Sequence, residues 1–309
     1  MVKDDLKIIF FGNTDFSKMF LKYLVETVNY NVVAVVTDPD KQLRKHGKSF
    51  IKTTEVKQYA VENNIPVIHE LDADVIREYN ANLFIVVAFK FLKKEIWSMP
   101  EYGTINIHPS LLPEFRGPAP IEHAIIQGKE DTGVTCFYIN DDIDSGDIIE
   151  QISVHIPFEK DAAFAYKTMA YKGAECLRNA LEKIIAGNGK AQTTKQDISK
   201  VSKAPKIYNT KIDWNNDVED VYNLIRALKL HNGAYTFING IEVRILSAEP
   251  TRMAVLTKDI EVFNNNVFIG CKTFGLLIKT VKPAGKKEMD AHAFINGLRN
   301  KFDKFEITD

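Results

Sequence analysis

Three polar side chains from two separate segments are of the types that acyl-transfer chemistry requires. Asn106 and His108 end an apolar segment and lie two residues apart, so an extended strand would direct both side chains to one face. An amide can donate a hydrogen bond to a developing oxyanion, and an imidazole can share or move protons near neutral pH. Asp144 is a carboxylate that could complete the set. Spacing alone fits a plainer alternative equally well, in which Asn106 and His108 are satisfied polar groups beneath a loop and Asp144 belongs to a turn.

Both segments belong to loops that follow predicted strands. Pro109 and Pro113 break the extended segment beyond His108, and loops on a rigid scaffold commonly carry functional residues. The acidic turn at 140–147 contains Asp144 and also follows an apolar segment. We therefore predict that the two loops close over one crevice.

The first half of the chain alternates between apolar, β-branched segments and helical patterns. The strands predicted by this pattern lie at 7–12, 32–37, 83–89, 104–107, 132–139 and 147–155, and the helices at 16–24, 55–63, 74–79 and 162–186. Continuous apolar strands separated by helices indicate an α/β fold, with a Rossmann-like, mostly parallel sheet and helices on both faces. In such open sheets the ligand binds beyond the carboxyl ends of the strands, which is where Asn106 and His108 fall.

The second half has a different pattern, with one short helix at 218–228 followed by several short strands. Those strands are predicted at 234–238, 243–247, 260–263, 267–271 and 276–281. Asn239-Gly240 separates the first two and predicts a tight hairpin turn. These features indicate a small C-terminal β-barrel that is OB-like. We accordingly predict a catalytic domain at 1–188, a polar linker at 189–206 and a barrel domain at 207–309.

Composition excludes several classes of protein. The chain has 309 residues, 45% of them hydrophobic, and a net charge of -1, so it can bury a sizeable core and has no overall attraction for nucleic acid. Its three cysteines are far apart and indicate neither a disulfide framework nor a zinc site. The first residues lack the apolar core of a signal peptide, and no apolar run reaches the roughly 18 residues of a membrane span. We expect a cytoplasmic monomer without membrane contact.

Four motifs around the polar side chains resemble one enzyme family. Residues 106–113 read Asn-Ile-His-Pro-Ser-Leu-Leu-Pro, residues 115–121 read Phe-Arg-Gly-Pro-Ala-Pro-Ile, residues 132–135 read Thr-Gly-Val-Thr, and residues 144–147 read Asp-Ser-Gly-Asp. This order and spacing resembles the folate-dependent formyltransferases. The segments at 9–17, 37–41, 211–214, 225–228 and 285–297 are similar to the members of that family that act on initiator methionyl-tRNA.

The resemblance implies a reaction and a set of site residues. The donor would be 10-formyltetrahydrofolate, and the acceptor would be the α-amine of methionine on initiator methionyl-tRNA. Asn106 and a protonated His108 would bind the oxyanion of a tetrahedral intermediate, and Asp144 would hold His108 and accept a proton. No metal is expected, because no cluster of His, Cys and Asp has the spacing of a metal site. The residues that the resemblance implies for folate binding are Phe89, Leu92, Ser110, Leu111, Leu112, Pro113, Asn140, Asp141 and Asp142.

A basic stretch at 41–52 follows the second predicted strand and contains no acidic residue. Composition alone favours a solvated, mobile loop. Its position favours a role in binding a partner, because the stretch projects from the sheet edge that carries the catalytic candidates. The resemblance then implies contact with the acceptor stem of the tRNA, through phosphates that position the partner without reading sequence. The predicted contact residues are Lys41, Arg44, Lys45 and Lys48, with His46 between them.

Three other functions remain open on the sequence. A sugar-nucleotide N-formyltransferase is the nearest, although the basic insert and the barrel argue against it. A hydrolase that releases formate would use the donor without an acceptor. A non-catalytic RNA-binding protein would use the barrel alone. A Rossmann oxidoreductase is disfavoured, because Gly12 is not followed by the further glycines of a dinucleotide-binding turn.

Overall fold

The computed structural model describes residues 2–45 and 48–308 and divides into two compact units. Unit 1 consists of Met1–Gly117, Thr132–Val154 and Tyr166–Lys203. Unit 2 consists of Pro118–Asp131, His155–Ala165 and Ala204–Asp309.

Within the part of the chain that the structure describes, residues 7–186 contain nine strands and six α-helices. The strands are β1 (Lys7–Gly12), β2 (Asn31–Val36), β3 (Lys41–Lys45), β4 (Lys48–Lys52), β5 (Val67–Ile68), β6 (Leu83–Val87), β7 (Thr104–His108), β8 (Asp131–Tyr138) and β9 (Ile148–His155). The helices are α1 (Asp15–Lys22), which continues as a π-helix over Tyr23–Thr27, α2 (Glu55–Glu62), α3 (Ala73–Arg77), α4 (Lys94–Trp97), α5 (Pro120–Ile126) and α6 (Ala162–Ala186). Short 3₁₀ segments lie at Lys3–Asp5 and Ile198–Lys200.

A seven-stranded sheet, in the order β5-β2-β1-β6-β7-β8-β9, forms the centre of unit 1. The pairs from β5 to β7 are parallel, and β8 runs antiparallel to β7. The apolar run of β1 is buried from Ile8 to Gly12, as expected of a strand covered on both sides. This sheet confirms the predicted Rossmann-like, mostly parallel class.

Local capping and close packing fix the first helix against the sheet. Thr14 accepts a hydrogen bond from the backbone N–H of Ser17 (3.2 Å) and so begins α1. The hydroxyl of Ser17 donates to the carbonyl of Val87 (2.7 Å), where β6 ends. Gly12 permits this approach, because a Cβ there would lie 2.5 Å from the Cβ of Ser17. The hydrogen bond from Ser17 therefore fixes the position of Val87, from which the loop after β6 begins.

The basic stretch forms a two-stranded antiparallel hairpin of β3 and β4, where the sequence predicts a loop. Leu43 lies opposite Phe50, and such a cross-strand apolar pair stabilises a hairpin. The surrounding lysines and arginine conceal that pair in a sequence pattern, and Leu43, Phe50 and Ile51 are all exposed. His46 lies outside the described residues.

Unit 2 contains the remaining strands and helices. They are α7 (Val218–Leu228), a 3₁₀ turn at Lys229–His231, β10 (Ala234–Ile238), β11 (Ile241–Pro250), β12 (Ile260–Phe263), β13 (Asn266–Gly270), β14 (Gly275–Pro283), β15 (Met289–Asp290), α8 (Ala291–Leu298) and β16 (Ile307–Thr308). The strands run in the order β12-β13-β14-β11-β10-β16, with β15 paired to β14. An antiparallel bridge between Asp259 and Glu306 joins residues beside the two end strands, as the predicted barrel requires.

The predicted turn between β10 and β11 is confirmed. Asn239 (φ 48°) and Gly240 (φ 76°) both have positive φ, which is the requirement of a two-residue turn that follows the strand twist. Inside the barrel Trp214 is buried and donates from its indole N–H to the hydroxyl of Thr236 (2.9 Å). Across the described residues of both units, no helix has the length and apolar character needed to cross a membrane.

Candidate active site

His108 is the last residue of β7, and its neighbours in the sheet hold it in place. The strand pairs with β6 on one side and with β8 on the other, where His108 lies opposite Thr135. Pro109 has no N–H to continue the ladder, so the chain leaves the sheet at this point. His108 is only 4% exposed, and its orientation is therefore set by its hydrogen bonds.

One nitrogen of the His108 ring is bound to the backbone. Nε2 lies 2.9 Å from the carbonyl oxygen of Phe115. Because a carbonyl only accepts, Nε2 must carry a proton, and Nδ1 is the ring nitrogen left for chemistry. Phe115 has φ 58°, a conformation that a bulky residue adopts only under constraint from its surroundings.

Asp144 directs its carboxylate at the second ring nitrogen. Its Oδ2 lies 3.7 Å from Nδ1 of His108, with the two side chains 13% and 5% exposed. The same oxygen accepts a hydrogen bond from the backbone N–H of Gly117 (2.9 Å). A separation of 3.7 Å is within ion-pair range and too long for a hydrogen bond. Nδ1 therefore faces the carboxylate without being committed to it as a hydrogen-bond donor.

Asn106 completes the set on the same strand. It lies between Val86 and Phe137 in the register of the sheet and is half-buried. The two-residue spacing places its side chain on the same face of β7 as His108. The structure thus brings His108 and Asp144 together and places Asn106 on the same side, while the catalytic role of all three stays a prediction.

The Ser-Leu-Leu-Pro loop after His108 is held by its own polar groups. The hydroxyl of Ser110 donates to the carbonyl of Glu114 (2.6 Å), and Ser110 is fully buried. Thr135 donates from its hydroxyl to the carbonyl of Ser110 (2.7 Å) and accepts from the N–H of Leu112 (3.0 Å). Gln151 donates from its amide to the carbonyl of Leu112 (2.9 Å). The side chain of Ser110 and the main chain of Leu112 are therefore occupied in shaping the loop.

The other two residues predicted from this loop lie beside the same contacts. Leu111 is half-buried and packs so closely on Gly133 that a Cβ there would lie 2.5 Å from a Leu111 methyl group. Pro113 is buried, and its carbonyl accepts from the N–H of Ser202 (3.3 Å).

The loop after β6 offers main-chain groups to a ligand. The ring of Phe89 packs edge-on against Phe11, with centroids 5.7 Å apart, and Leu92 is buried in the same core cluster. Among the described residues, the N–H and C=O groups of 89–92 make no hydrogen bond to other backbone groups. The side chains of Phe89 and Leu92 thus anchor this loop in the core, and its main-chain N–H and C=O groups are left available to a ligand.

The turn after β8 carries the last predicted folate residues. The carbonyl oxygen of the Asn140 side chain accepts from the N–H of Asp142 (3.1 Å) and from the hydroxyl of Ser145 (2.8 Å). Asp141 forms an exposed ion pair with Lys94 (2.9 Å). Asp142 is exposed, and its carbonyl accepts from the hydroxyl of Ser145 (3.0 Å). Asn140 therefore fixes the conformation of the turn that presents Asp144.

The predicted nucleic-acid residues lie on the hairpin. Lys41 lies at its base, 3.8 Å from Asp38, which also pairs with Lys90 (3.1 Å) in the loop after β6. Arg44 is exposed on β3. Lys45 is the last residue of β3 and Lys48 the first residue of β4, and the two are paired in the register of the strands. All four predicted cations therefore belong to one projecting element.

Sequence reasoning missed the residue that joins the two catalytic loops. Gln196 donates from Nε2 to the carbonyls of Asp144 (3.1 Å) and Gly146 (2.8 Å). Its Oε1 accepts from Nε and from a terminal nitrogen of Arg116 (3.1 and 2.6 Å). Arg116 lies in the Phe-Arg-Gly-Pro-Ala-Pro-Ile motif at 115–121. Gln196 lies in the predicted linker segment at 189–206, where no sequence pattern distinguishes it from its neighbours.

The cysteines are not suited to act as nucleophiles. Burial raises the pKa of the Cys136 thiol well above its usual range and that of Cys176 to about 12. Burial also raises the pKa of Cys271 to about 12. Thiols in this state are protonated near neutral pH, so covalent catalysis by cysteine has no support.

Two family patterns cover most of the chain. The Formyl transferase family matches residues 6–181, and the Formyl transferase, C-terminal domain family matches residues 206–299. The chain is 34% identical to the methionyl-tRNA formyltransferase of Parabacteroides distasonis, covering 97% of this chain and 98% of the relative. It is 35% identical to the methionyl-tRNA formyltransferase of Bacillus velezensis, covering 94% of each.

Solved structures share the fold at lower identity. The N-formyltransferase of Helicobacter canadensis, in complex with folinic acid and dTDP-3-aminofucose, has a TM-score of 0.68 and 22% identity to this chain. The match covers 88% of this chain and 98% of that one. At this identity the likeness concerns the fold alone.

Proposed function

Because this chain belongs to the formyltransferase family, and within it to the methionyl-tRNA formyltransferases, we propose that it transfers a formyl group from 10-formyltetrahydrofolate to the α-amine of initiator methionyl-tRNA. It is an enzyme of translation initiation and a formyl-group transferase. The observation that carries the site assignment is the 3.7 Å approach of the Asp144 carboxylate to Nδ1 of His108 at the end of β7.

The reaction requires a hydrogen-bond donor to the oxyanion and a proton acceptor for the amine, both close to the formyl carbon. The amine nitrogen bonds to the formyl carbon, and the carbonyl oxygen becomes an oxyanion. The carbonyl then re-forms as the bond from that carbon to the donor nitrogen breaks, and the proton that the attacking nitrogen still has to lose passes to the donor nitrogen, which leaves as tetrahydrofolate. The amide of Asn106 and the Nδ1–H of His108 donate to the oxyanion. Nε2 cannot share this task, because it is bound to Phe115.

Asp144 has two tasks in this proposal. Its carboxylate faces the ring of His108 at 3.7 Å and keeps Nδ1 directed at the position of the oxyanion. It also accepts the proton that the attacking ammonium must lose, directly or through water. The hydrogen bond from Gly117 holds the carboxylate in place for both tasks.

The loops beside this pair fit a pterin. The edge of a pterin resembles that of a nucleobase, so it pairs with main-chain donors and acceptors. The unused main-chain groups of residues 89–92 and the exposed turn at 140–142 supply such groups next to the end of β7. The Ser-Leu-Leu-Pro loop forms the adjoining wall.

The hairpin of β3 and β4 is proposed to contact the acceptor stem of the tRNA. It projects from the sheet after β2, and its cations are presented on a narrow element that can approach a phosphate backbone. We also propose that the enzyme acts as a monomer in the cytoplasm, where charged tRNA is used.

An acceptor assay tests this proposal. The full-length protein is mixed with 10-formyltetrahydrofolate and one of three acceptors, namely methionyl initiator tRNA, the same tRNA uncharged, or a dTDP-linked amino sugar. We expect formyl-methionine on the charged tRNA only. Formylation of the sugar would assign the alternative transferase, donor consumption without acceptor would assign a hydrolase, and tRNA binding without formyl-methionine would reduce the protein to an RNA-binding module.

A further inference from the structure

The polar segment after α6 is bonded to both loops of the candidate active site. Gln196 has a terminal amide whose hydrogen-bonding groups are all used, two as donors and one as a shared acceptor. On the donor side it binds the carbonyls on either side of Ser145. On the acceptor side it receives a side-on pair of N–H groups from Arg116. Few glutamine side chains satisfy this many groups, since most side-chain hydrogen bonds go to the backbone or to water.

The partners of Gln196 lie next to the atoms that place the catalytic pair. Arg116 is flanked by Phe115, whose carbonyl accepts from His108, and by Gly117, whose N–H donates to Asp144. The carbonyl of Asp144 itself is bound by Gln196. One amide group therefore spans the backbone that orients the imidazole and the backbone that orients the carboxylate.

The same segment makes further contacts with the first of these loops. The hydroxyl of Ser202 accepts from the N–H of Phe115 (2.8 Å), and the carbonyl of Ser202 accepts from the N–H of Arg116 (2.9 Å). These bonds hold Phe115 in its positive-φ conformation. Asp144 (φ 51°) is held in a similar conformation, and such residues relax unless neighbouring groups fix them.

We propose that Gln196 is a positioning residue for formyl transfer, which fixes the distance between the Asp144 carboxylate and Nδ1 of His108 by joining their two loops. The inference rests on the proposed function for its kinetic readout. Gln196 does not contact either catalytic side chain, so its loss affects the alignment of the pair and leaves substrate-binding groups in place.

Three variants separate positioning from general stability. Gln196→Met keeps the length of the side chain and removes all its hydrogen bonds. Gln196→Glu keeps the acceptor for Arg116 and removes the donor for Asp144 and Gly146. Gln192→Ala, four residues upstream and exposed in the same segment, is the matched control.

We expect Gln196→Met and Gln196→Glu to lower kcat by about 10–100-fold, because misplacement of reacting groups by about 1 Å has effects of this size. KM for tRNA and for the folate donor should change less than about threefold, since binding groups are untouched. Gln192→Ala should match the wild type. A Gln196→Glu variant with wild-type kcat, or a loss confined to KM, would overturn the proposal.

A second measurement does not depend on the identity of the substrate. Hydrogen exchange at the amide of Gly117 reports its bond to Asp144, and we expect exchange about tenfold faster in Gln196→Glu than in Gln192→Ala. If the wild type forms no formyl-methionine but this acceleration is seen, the proposed function fails and the positioning role stands. Unchanged protection of Gly117 would refute the positioning role whatever the activity. Gln196→Glu is the variant used for this measurement because it retains the bond to Arg116.

Discussion

His108 and His155 both pair with an aspartate, and the comparison shows what distinguishes a reactive pair from a surface pair. His155 lies 2.9 Å from Asp131, but the two side chains are 57% and 87% exposed. Solvent screens such a pair, and it contributes little to stability or to orientation. The ring of His108 is buried, bound at Nε2, and faced by a carboxylate at Nδ1. Burial of the pair is what makes its charge distribution useful for stabilising an oxyanion.

The first prediction compares these two pairs. His108→Asn and Asp144→Asn should each lower kcat by about 10²–10³, because each removes a group that acts on the developing charge. His155→Asn should leave kcat within about twofold of wild type. Single-turnover formylation of methionyl initiator tRNA measures the effect, with circular dichroism to confirm the fold. Normal turnover by either active-site variant would contradict the assigned roles.

At the scale of the element, the hairpin shows how a charge-rich sequence can conceal regular structure. The sequence from 41 to 52 is rich in cations, which are typical of solvated loops. Pairing of β3 with β4 nevertheless aligns Leu43 with Phe50 and holds Lys41 opposite Lys52. A hairpin presents its charges in a fixed spacing along a phosphate backbone, whereas a loop would have to be ordered on binding.

The second prediction concerns this hairpin. Replacing Lys41, Arg44, Lys45 and Lys48 by glutamine should raise KM for tRNA and flatten its dependence on salt, by about one unit of slope for each lost phosphate contact. The rate at saturating tRNA should change little, because these residues are assigned no part in the chemistry. A control variant with glutamine at the exposed lysines Lys22, Lys129, Lys167 and Lys195 should behave as wild type. An unchanged KM and salt slope in the hairpin variant would remove its proposed role.

At the scale of the whole molecule, the two compact units do not follow the order of the chain. Unit 2 gathers α5 from the first half with α7 and the barrel, and Glu122 of α5 lies 2.6 Å from His231. The polar segment at 189–203 clusters with unit 1. The predicted boundaries at 1–188, 189–206 and 207–309 stay a prediction, whereas the predicted class of each half is confirmed.

The third prediction uses the cysteines as probes of the whole fold. Burial holds the pKa of Cys176 and Cys271 at about 12, so the thiolate fraction at pH 8 is on the order of 10⁻⁴. Iodoacetamide should therefore leave the native protein unlabelled and active, and labelling should follow denaturant unfolding. Rapid native-state alkylation with loss of activity would indicate a functional thiol.

The raised thiol pKa values also set the sign of a pH effect. The folded state retains protons that the unfolded state loses above pH 9. Stability should consequently fall as the pH rises from about 9 to 12, as measured by the denaturation midpoint.

The sequence alone determined the fold class, the family and the composition of the candidate site. Residues two apart on a strand must share a face, so Asn106 and His108 could be paired without coordinates. The alternation of apolar strands with helices and the Asn239-Gly240 turn also depend only on residues that are close together in the sequence. The structure confirms both.

Only the tertiary structure decided which ring nitrogen of His108 is available and what holds the carboxylate beside it. Gln196 lies 52 residues from Asp144 and 80 from Arg116, and no local pattern records contacts over such separations. These contacts form because the chain folds back upon itself after α6. The conformational entropy lost in closing loops of this length is offset by packing of the whole core, and the contacting residues contribute only a small part of that stabilisation.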